Sequence, residues 1–362
     1  MKISELGLHF SICIRGLRPD TQEKEILKEL KPLGVHIGKQ NFVQGAPYED
    51  WIAEFKGLLS EIRALTGHRK MLFFIDHEGG RVQRTPPPLT VLPYPVEYAE
   101  AAGEIGELVG RELTASGINL LFGPCCDIDS NPDNPVIGKR AFGTTPKRVS
   151  EVAVKFILGA NKTGLICCAK HFPGHGDTNV DSHLELPTLN LTEEELFKRE
   201  LIPFKTVIKE GVPMIMTSHI LFPALDPVNP ATLSKYLLSK ILRGKLGFTG
   251  VIVTDDIDMK ALSDNFATEE LGASAFNAGV DLLLFNRRVL SGDEASPDQP
   301  IQIARGILKQ LGTGKLDKSL LEDSKARLNR LLKIVPEPDI KCLPQSMLDK
   351  HQLIVQNISP DA

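Results

Sequence analysis

Short apolar runs punctuate the chain at Leu6–Ile14, Gly34–Ile37, Met71–Ile75, Ile118–Phe122, Leu165–Ala169, Val212–Met216, Val251–Val253 and Val280–Phe285. Turn residues bound each run, and a helical pattern follows it. Most runs are apolar nearly throughout instead of alternating, as expected of parallel strands whose two faces are both covered. Among the intervening helices, Thr192–Glu195 forms a capping box ahead of Leu196 and Leu201. Tyr236–Leu246 places apolar residues at helical spacing, with Gly247 at its stop. Eight strand–helix units predict an α/β chain folded as a (β/α)8 TIM barrel, a fold of usually about 250 residues. A doubly wound open sheet is the competing architecture, but no G-x-G-x-x-G turn follows the first run.

The pattern divides the chain into a single catalytic barrel domain, 1–334, and a C-terminal tail, 335–362. Asn286–Pro300 reads as a polar loop and Ile301–Ile334 as a helical extension. From Pro336 onward the sequence is proline-broken and weakly patterned. The opening MKISELGLHFSICIRG reads as a first strand and not as a secretory signal.

Composition narrows the function classes. With 42% hydrophobic and 24% charged residues, the chain of 362 is an ordinary globular protein. Lys+Arg (42) nearly balances Asp+Glu (46), for a formal net charge of −4, so no basic field steers it to nucleic acid or anionic lipid. No apolar run reaches the ~18 residues of a membrane span. Cys125–Cys126 and Cys167–Cys168 are vicinal pairs inside strand-like runs, where neighbours face opposite ways. That pattern predicts core thiols in a reducing compartment, hence a cytoplasmic protein. The sequence does not specify an oligomeric state.

Polar residues crowd the ends of the predicted strands: Asp76-His77-Glu78-Gly79-Gly80-Arg81, Cys126-Asp127-Ile128-Asp129, Lys170-His171-Phe172-Pro173-Gly174-His175-Gly176-Asp177, Ser218-His219 and Asp255-Asp256. In a barrel these ends open on one face, where active sites lie. The richest segment is Lys170–Pro187, KHFPGHGDTNVDSHLELP. It admits three readings: a polar surface loop, a metal site of His171, His175, Asp177 and His183, or an acid/base pair of Asp181 and His183. In the last, the carboxylate orients the imidazole and stabilises its charged form. Asp255, delivered by the run VIVTDD, can serve as general base, nucleophile or metal ligand, while Asp256 suits a helix N-cap.

KHFPGHGDTNVDSHLELP, DHEGGRVQR, DSNPDNPVIGKRAFG and VIVTDDIDM, in that order, resemble the bacterial β-N-acetylglucosaminidases of glycoside hydrolase family 3 over about residues 5 to 285. The resemblance implies a TIM-barrel exo-enzyme that removes non-reducing β-linked N-acetylglucosamine. For cytoplasmic members the substrates are anhydro-muropeptide fragments of peptidoglycan. It implies that Asp255 is the nucleophile, His183 the general acid/base and Asp181 its partner on a mobile loop. Asp76, Arg84, Arg140, Lys170 and His171 correspond to residues contacting the sugar. No cofactor or metal is implied, and the expected partner is a small glycan or muropeptide. The roughly 75 residues after Phe285 are too few for the second domain of the longer family members. The scheme is double displacement with retention, with water or phosphate as acceptor. Competing readings are substrate-assisted hydrolysis using Asp255-Asp256, a metal-dependent barrel hydrolase, and a non-catalytic amino-sugar-binding protein.

Overall fold

A computed structural model describes residues 1–182, 184–286 and 298–358. Eight parallel strands close into a barrel in sequence order: β1 (Phe10–Cys13), β2 (Gly34–Ile37), β3 (Leu72–Ile75), β4 (Leu120–Cys125), β5 (Ile166–Phe172), β6 (Met214–Thr217), β7 (Val251–Asp256) and β8 (Leu282–Leu284). All eight apolar runs become strands. The first is shorter than its run, because Ile3–Leu6 and Gly7–His9 coil into helical turns before β1. β4, β5 and β7 extend past theirs, and β5 and β7 thereby carry Lys170, His171, Asp255 and Asp256 toward the barrel mouth.

The continuous apolar runs have the anticipated cause. Leu72, Phe74, Leu120, Phe122, Ile166, Cys168, Met214, Met216, Val251, Val253, Leu282 and Leu284 form one buried cluster, to which Leu328, Leu331 and Val335 also belong. Phe73, Ile75, Leu121, Cys167, Ala169, Ile215, Ile252 and Leu283 belong to a larger cluster, shared with the surrounding helices. Strand side chains alternate between barrel interior and helix layer. Cys167 and Cys168 fall on opposite sides, and none of the six cysteines is joined in a disulfide. The pairing register shifts at Phe122/Gly123, Ala169/Phe172 and Val253/Asp256, near the C-terminal ends of β4, β5 and β7. Such irregularities re-aim side chains at a barrel rim.

Two elements differ from the sequence reading. Tyr236–Lys245 is hydrogen-bonded in the wider π pattern, as in Leu246 N–H to Ile241 O at 2.9 Å, and ends at Gly247 (φ 71°). The tail is not loose over 341–358. The helix Gln345–Ile358 buries Leu348, His351 and Val355. The Lys341 N–H reaches the Ala115 carbonyl at 2.9 Å. The polar loop read at Asn286–Pro300 lies largely outside the described residues, as does His183. Among the described residues, no helix is long and apolar enough to cross a membrane.

Candidate active site

At the C-terminal mouth of the barrel lies a cavity of about 520 Å³. Asp76, Arg84, Arg140, Lys170, His171, Asp181 and Asp255 all line it, so seven of the eight residues singled out from sequence meet in one place. The eighth, His183, lies outside the described residues.

Three of these residues, Asp76, Arg140 and Lys170, sit in one charge network with Glu78 and His36. Lys170, inward-facing on β5 and almost wholly buried, places Nζ 2.5 Å from Asp76 Oδ1 and 2.6 Å from Glu78 Oε1. Arg140 donates Nε and Nη2 to Glu78 Oε2 and Oε1, both at 2.8 Å. His36, in the middle of β2, bonds Asp76 Oδ2 through Nε2 at 2.9 Å. Burial opposes every charge here, but the Lys170 cation and the His36 bond hold Asp76 well below its ordinary value. Burial likewise opposes Glu78, yet Arg140 and Lys170 bring it down to about 2. Lys170 is raised in turn by Asp76 and Glu78, against its own burial. The group stays ionised because each charge is paired.

A second network holds the imidazoles. Asp127, just past β4, accepts His171 Nδ1–H at 2.6 Å and the His175 N–H at 2.7 Å, with Cys125 Sγ at 3.1 Å. Nδ1 of His171 being bound, Nε2 is the nitrogen left for the cavity. His175 bonds Thr178 Oγ1 through Nδ1 at 2.9 Å and Ser182 Oγ through Nε2 at 3.0 Å. Burial, then the neighbouring His171, lowers His175 to about 4, so its ring is neutral at ordinary pH. The Asp181 carbonyl accepts the N–H groups of Leu184 and Glu185, curling the loop at the cavity edge.

The proposed metal set does not assemble among the described residues: both nitrogens of His175 are bonded, and Asp177 pairs with Arg199. Cys125, Asp127 and His171 do bring ligand atoms within 4.8 Å of one another. These atoms already bond each other, and burial with the Asp127 charge pushes the Cys125 thiol well up, keeping it protonated.

Asp255 reaches the cavity from β7, its Oδ1 accepting the Asp256 N–H at 2.7 Å. Asp256 is not a helix N-cap. The following helix starts after Met259, and Asp256 Oδ1 instead accepts the N–H groups of Asp258 (3.2 Å) and Asn286 (2.9 Å). Strand β7 runs on through Asp256, so its carboxylate ties the segment leaving β7 to the one leaving β8. Burial, and then Asp258, push it well above its ordinary value. His219 bonds Thr232 Oγ1 and the Asp256 carbonyl and is wholly buried. His77 accepts the Arg84 N–H, and burial lowers it to about 3.

Sequence reasoning assigned no role to His36, Glu78 or Asp127. Each had one available signal, an ionisable residue within or directly after a buried strand, where an unpaired charge is costly.

A closed barrel that gathers carboxylates, imidazoles and paired cations around one cavity at its C-terminal rim is a TIM-barrel enzyme with a site for a small polar ligand. The chain belongs to glycosyl hydrolase family 3: the profile of the family's N-terminal domain matches residues 1–331. It is 40% identical over 279 residues to a β-hexosaminidase of Methylococcus capsulatus, covering 74% of this chain and 80% of that one. It is 36% identical over 284 residues to β-hexosaminidase A of Pseudoalteromonas piscicida, covering 73% of this chain but 47% of that longer relative. The structure is similar to NagZ of Neisseria gonorrhoeae, solved with N-trifluoroacetyl-D-glucosamine (TM-score 0.77, 29% identity, 97% and 98% of the two chains). The protein is thus a glycoside hydrolase of the β-hexosaminidase type.

Proposed function

We propose that this chain is a retaining exo-β-N-acetylglucosaminidase that removes terminal non-reducing N-acetylglucosamine, with anhydro-muropeptide fragments of peptidoglycan as its substrates in the cytoplasm. The observation that carries the reading is the shared cavity of Asp255, Asp181, Asp76 and Arg84. Asp255 is the nucleophile, attacking the anomeric carbon to form a glycosyl ester. His183, whose role comes from the family resemblance, gives its proton to the departing oxygen and then takes one from the incoming water. Asp181 supports its charged form. Asp76 accepts from sugar hydroxyls, and Arg84, Arg140, Lys170 and His171 donate around the ring. The neutral sugar suits a site in which Asp76, Glu78, Arg140 and Lys170 already pair with one another.

Hydrolysis of a nitrophenyl N-acetylglucosaminide, with the anomer of the product followed, tests the reaction. Asp255→Ala should abolish turnover and leave sugar binding intact. A 2-fluoro sugar should trap an ester on Asp255. Unchanged turnover in Asp255→Ala, or an inverted first product, would defeat the proposal. Substrate-assisted hydrolysis is disfavoured because Asp256, its second carboxylate, spends Oδ1 on two backbone N–H groups.

A further inference from the structure

The barrel mechanism gives the C-terminal tail nothing to do, yet its contacts converge on one loop of the site. His351, on the helix Gln345–Ile358, places Nδ1 2.8 Å from Glu112 Oε1, and both side chains are nearly excluded from water. Glu112 lies on the helix Ala102–Ala115, and its carboxylate also accepts both donors of Thr90, Oγ1 at 2.6 Å and N–H at 2.9 Å. Thr90 belongs to the long loop after β3. Its carbonyl accepts Gln83 Nε2 at 3.0 Å, and Gln83 stands between Val82 and Arg84, which line the cavity. A second path starts where the tail enters. The Leu343 N–H reaches Tyr48 Oη at 3.2 Å, the Tyr48 ring packs on Trp51 with centroids 5.1 Å apart, and Trp51 Nε1–H donates to the Pro87 carbonyl at 3.1 Å. Pro87 and Thr90 are in the same loop.

We infer that His351 and Glu112 are positioning residues for the sugar site, by which the docked tail braces the β3 loop that presents Arg84. The inference rests on the reading of Arg84 as a sugar contact. Without His351 the buried Glu112 carboxylate keeps only the Thr90 donors, and a buried carboxylate short of a donor is costly. The Thr90–Gln83 segment then loses part of its fixed geometry, so the effect falls on sugar binding and not on the chemical step.

The test compares His351→Ala and His351→Gln in the full chain. With the nitrophenyl N-acetylglucosaminide, His351→Ala should raise KM about three- to ten-fold, the scale of one hydrogen bond, with kcat within about two-fold, and His351→Gln, which keeps a donor, should recover most of it. Amide hydrogen exchange over 82–92 in the unliganded protein should speed up in His351→Ala and return toward wild type in His351→Gln. The exchange measurement needs no substrate, so it stands if the glycosidase reading fails. Unchanged exchange over 82–92 would overturn the brace. A lowered melting temperature with unchanged KM would overturn its role in the site and leave a merely structural contact.

Discussion

Arg140 holds Glu78 through two parallel bonds of 2.8 Å, Nε to Oε2 and Nη2 to Oε1, with both side chains almost wholly buried. The same carboxylate takes Lys170 at 2.6 Å, so one acidic group anchors two buried cations, the second of which it shares with Asp76. Two residues that the sequence assigns to the substrate thus owe their positions to a third.

Glu78→Ala should therefore destabilise the protein by about 3–5 kcal/mol, the range for breaking a buried pair from one side. It should also weaken sugar binding, because Arg140 and Lys170 lose their anchor. Denaturant unfolding together with KM checks this. A loss below about 1 kcal/mol would mean that water replaces the carboxylate freely.

Asp127→Asn replaces an acceptor of several donors with a group that presents its own N–H hydrogens to them. The His171 ring loses the bond that selects its tautomer, and the His175 N–H loses its charged acceptor. A reacting geometry displaced by about 1 Å costs about a hundred-fold in rate. A fall in kcat/KM of ten- to a hundred-fold, roughly, is expected, and near-normal kcat/KM would show that His171 is oriented by other contacts.

Gly176 has no room for a side chain: a Cβ there would come within 1.6 Å of the Ile128 carbonyl oxygen. Asn131 and Asn134 clamp the same stretch through Thr178 O and the His175 carbonyl. Gly176→Ala should shift the loop carrying Asp181. Overpacking costs about 1–3 kcal/mol. Activity at saturating substrate should fall more than stability does. Full activity in this variant would show that the loop works without its seat on Ile128.

Glu200 lies under the same loop, beside Gly174, and its Oε2 has no hydrogen-bond partner among the described residues. Burial pushes its carboxyl up to about 7, against Arg199 and with help from Asp127 and Asp177. The folded value lies above the ordinary 4.5, so the fold favours the protonated form. Its stabilising contribution is complete below about pH 4.5 and is lost as pH rises through about 7. Glu200→Gln removes that dependence. Its stability relative to wild type should rise between about pH 4.5 and 8 by on the order of 3 kcal/mol. Urea unfolding at both ends of the window measures it, and parallel curves would mean that Glu200 stays ionised.

The barrel was legible in the sequence because a strand buried on both faces must be apolar at every position, and eight such runs leave few other architectures. The site face was legible for a related reason: ionisable residues follow directly on apolar runs at Asp76, Lys170 and Asp255, and the barrel brings strand ends together. The pairing inside the site was not legible. Glu78 meets Arg140 62 residues away and Asp127 meets His171 44 residues away. His36, within an apolar strand, reads as a core residue until Asp76 is seen 2.9 Å from its ring.

Local sequence also misjudged the ends of elements. Asp256 looked like a cap, but strand β7 runs on through it and its carboxylate turns to Asn286. The tail looked unpatterned because its helix buries only Leu348, His351 and Val355, a narrow stripe set by the surface of Ala102–Ala115. The chain's own chemistry thus determined which stretches must leave water and which ionisable groups would stand at their ends. Tertiary structure alone decided which charge neutralises which, since only the closed barrel brings distant groups within hydrogen-bonding distance.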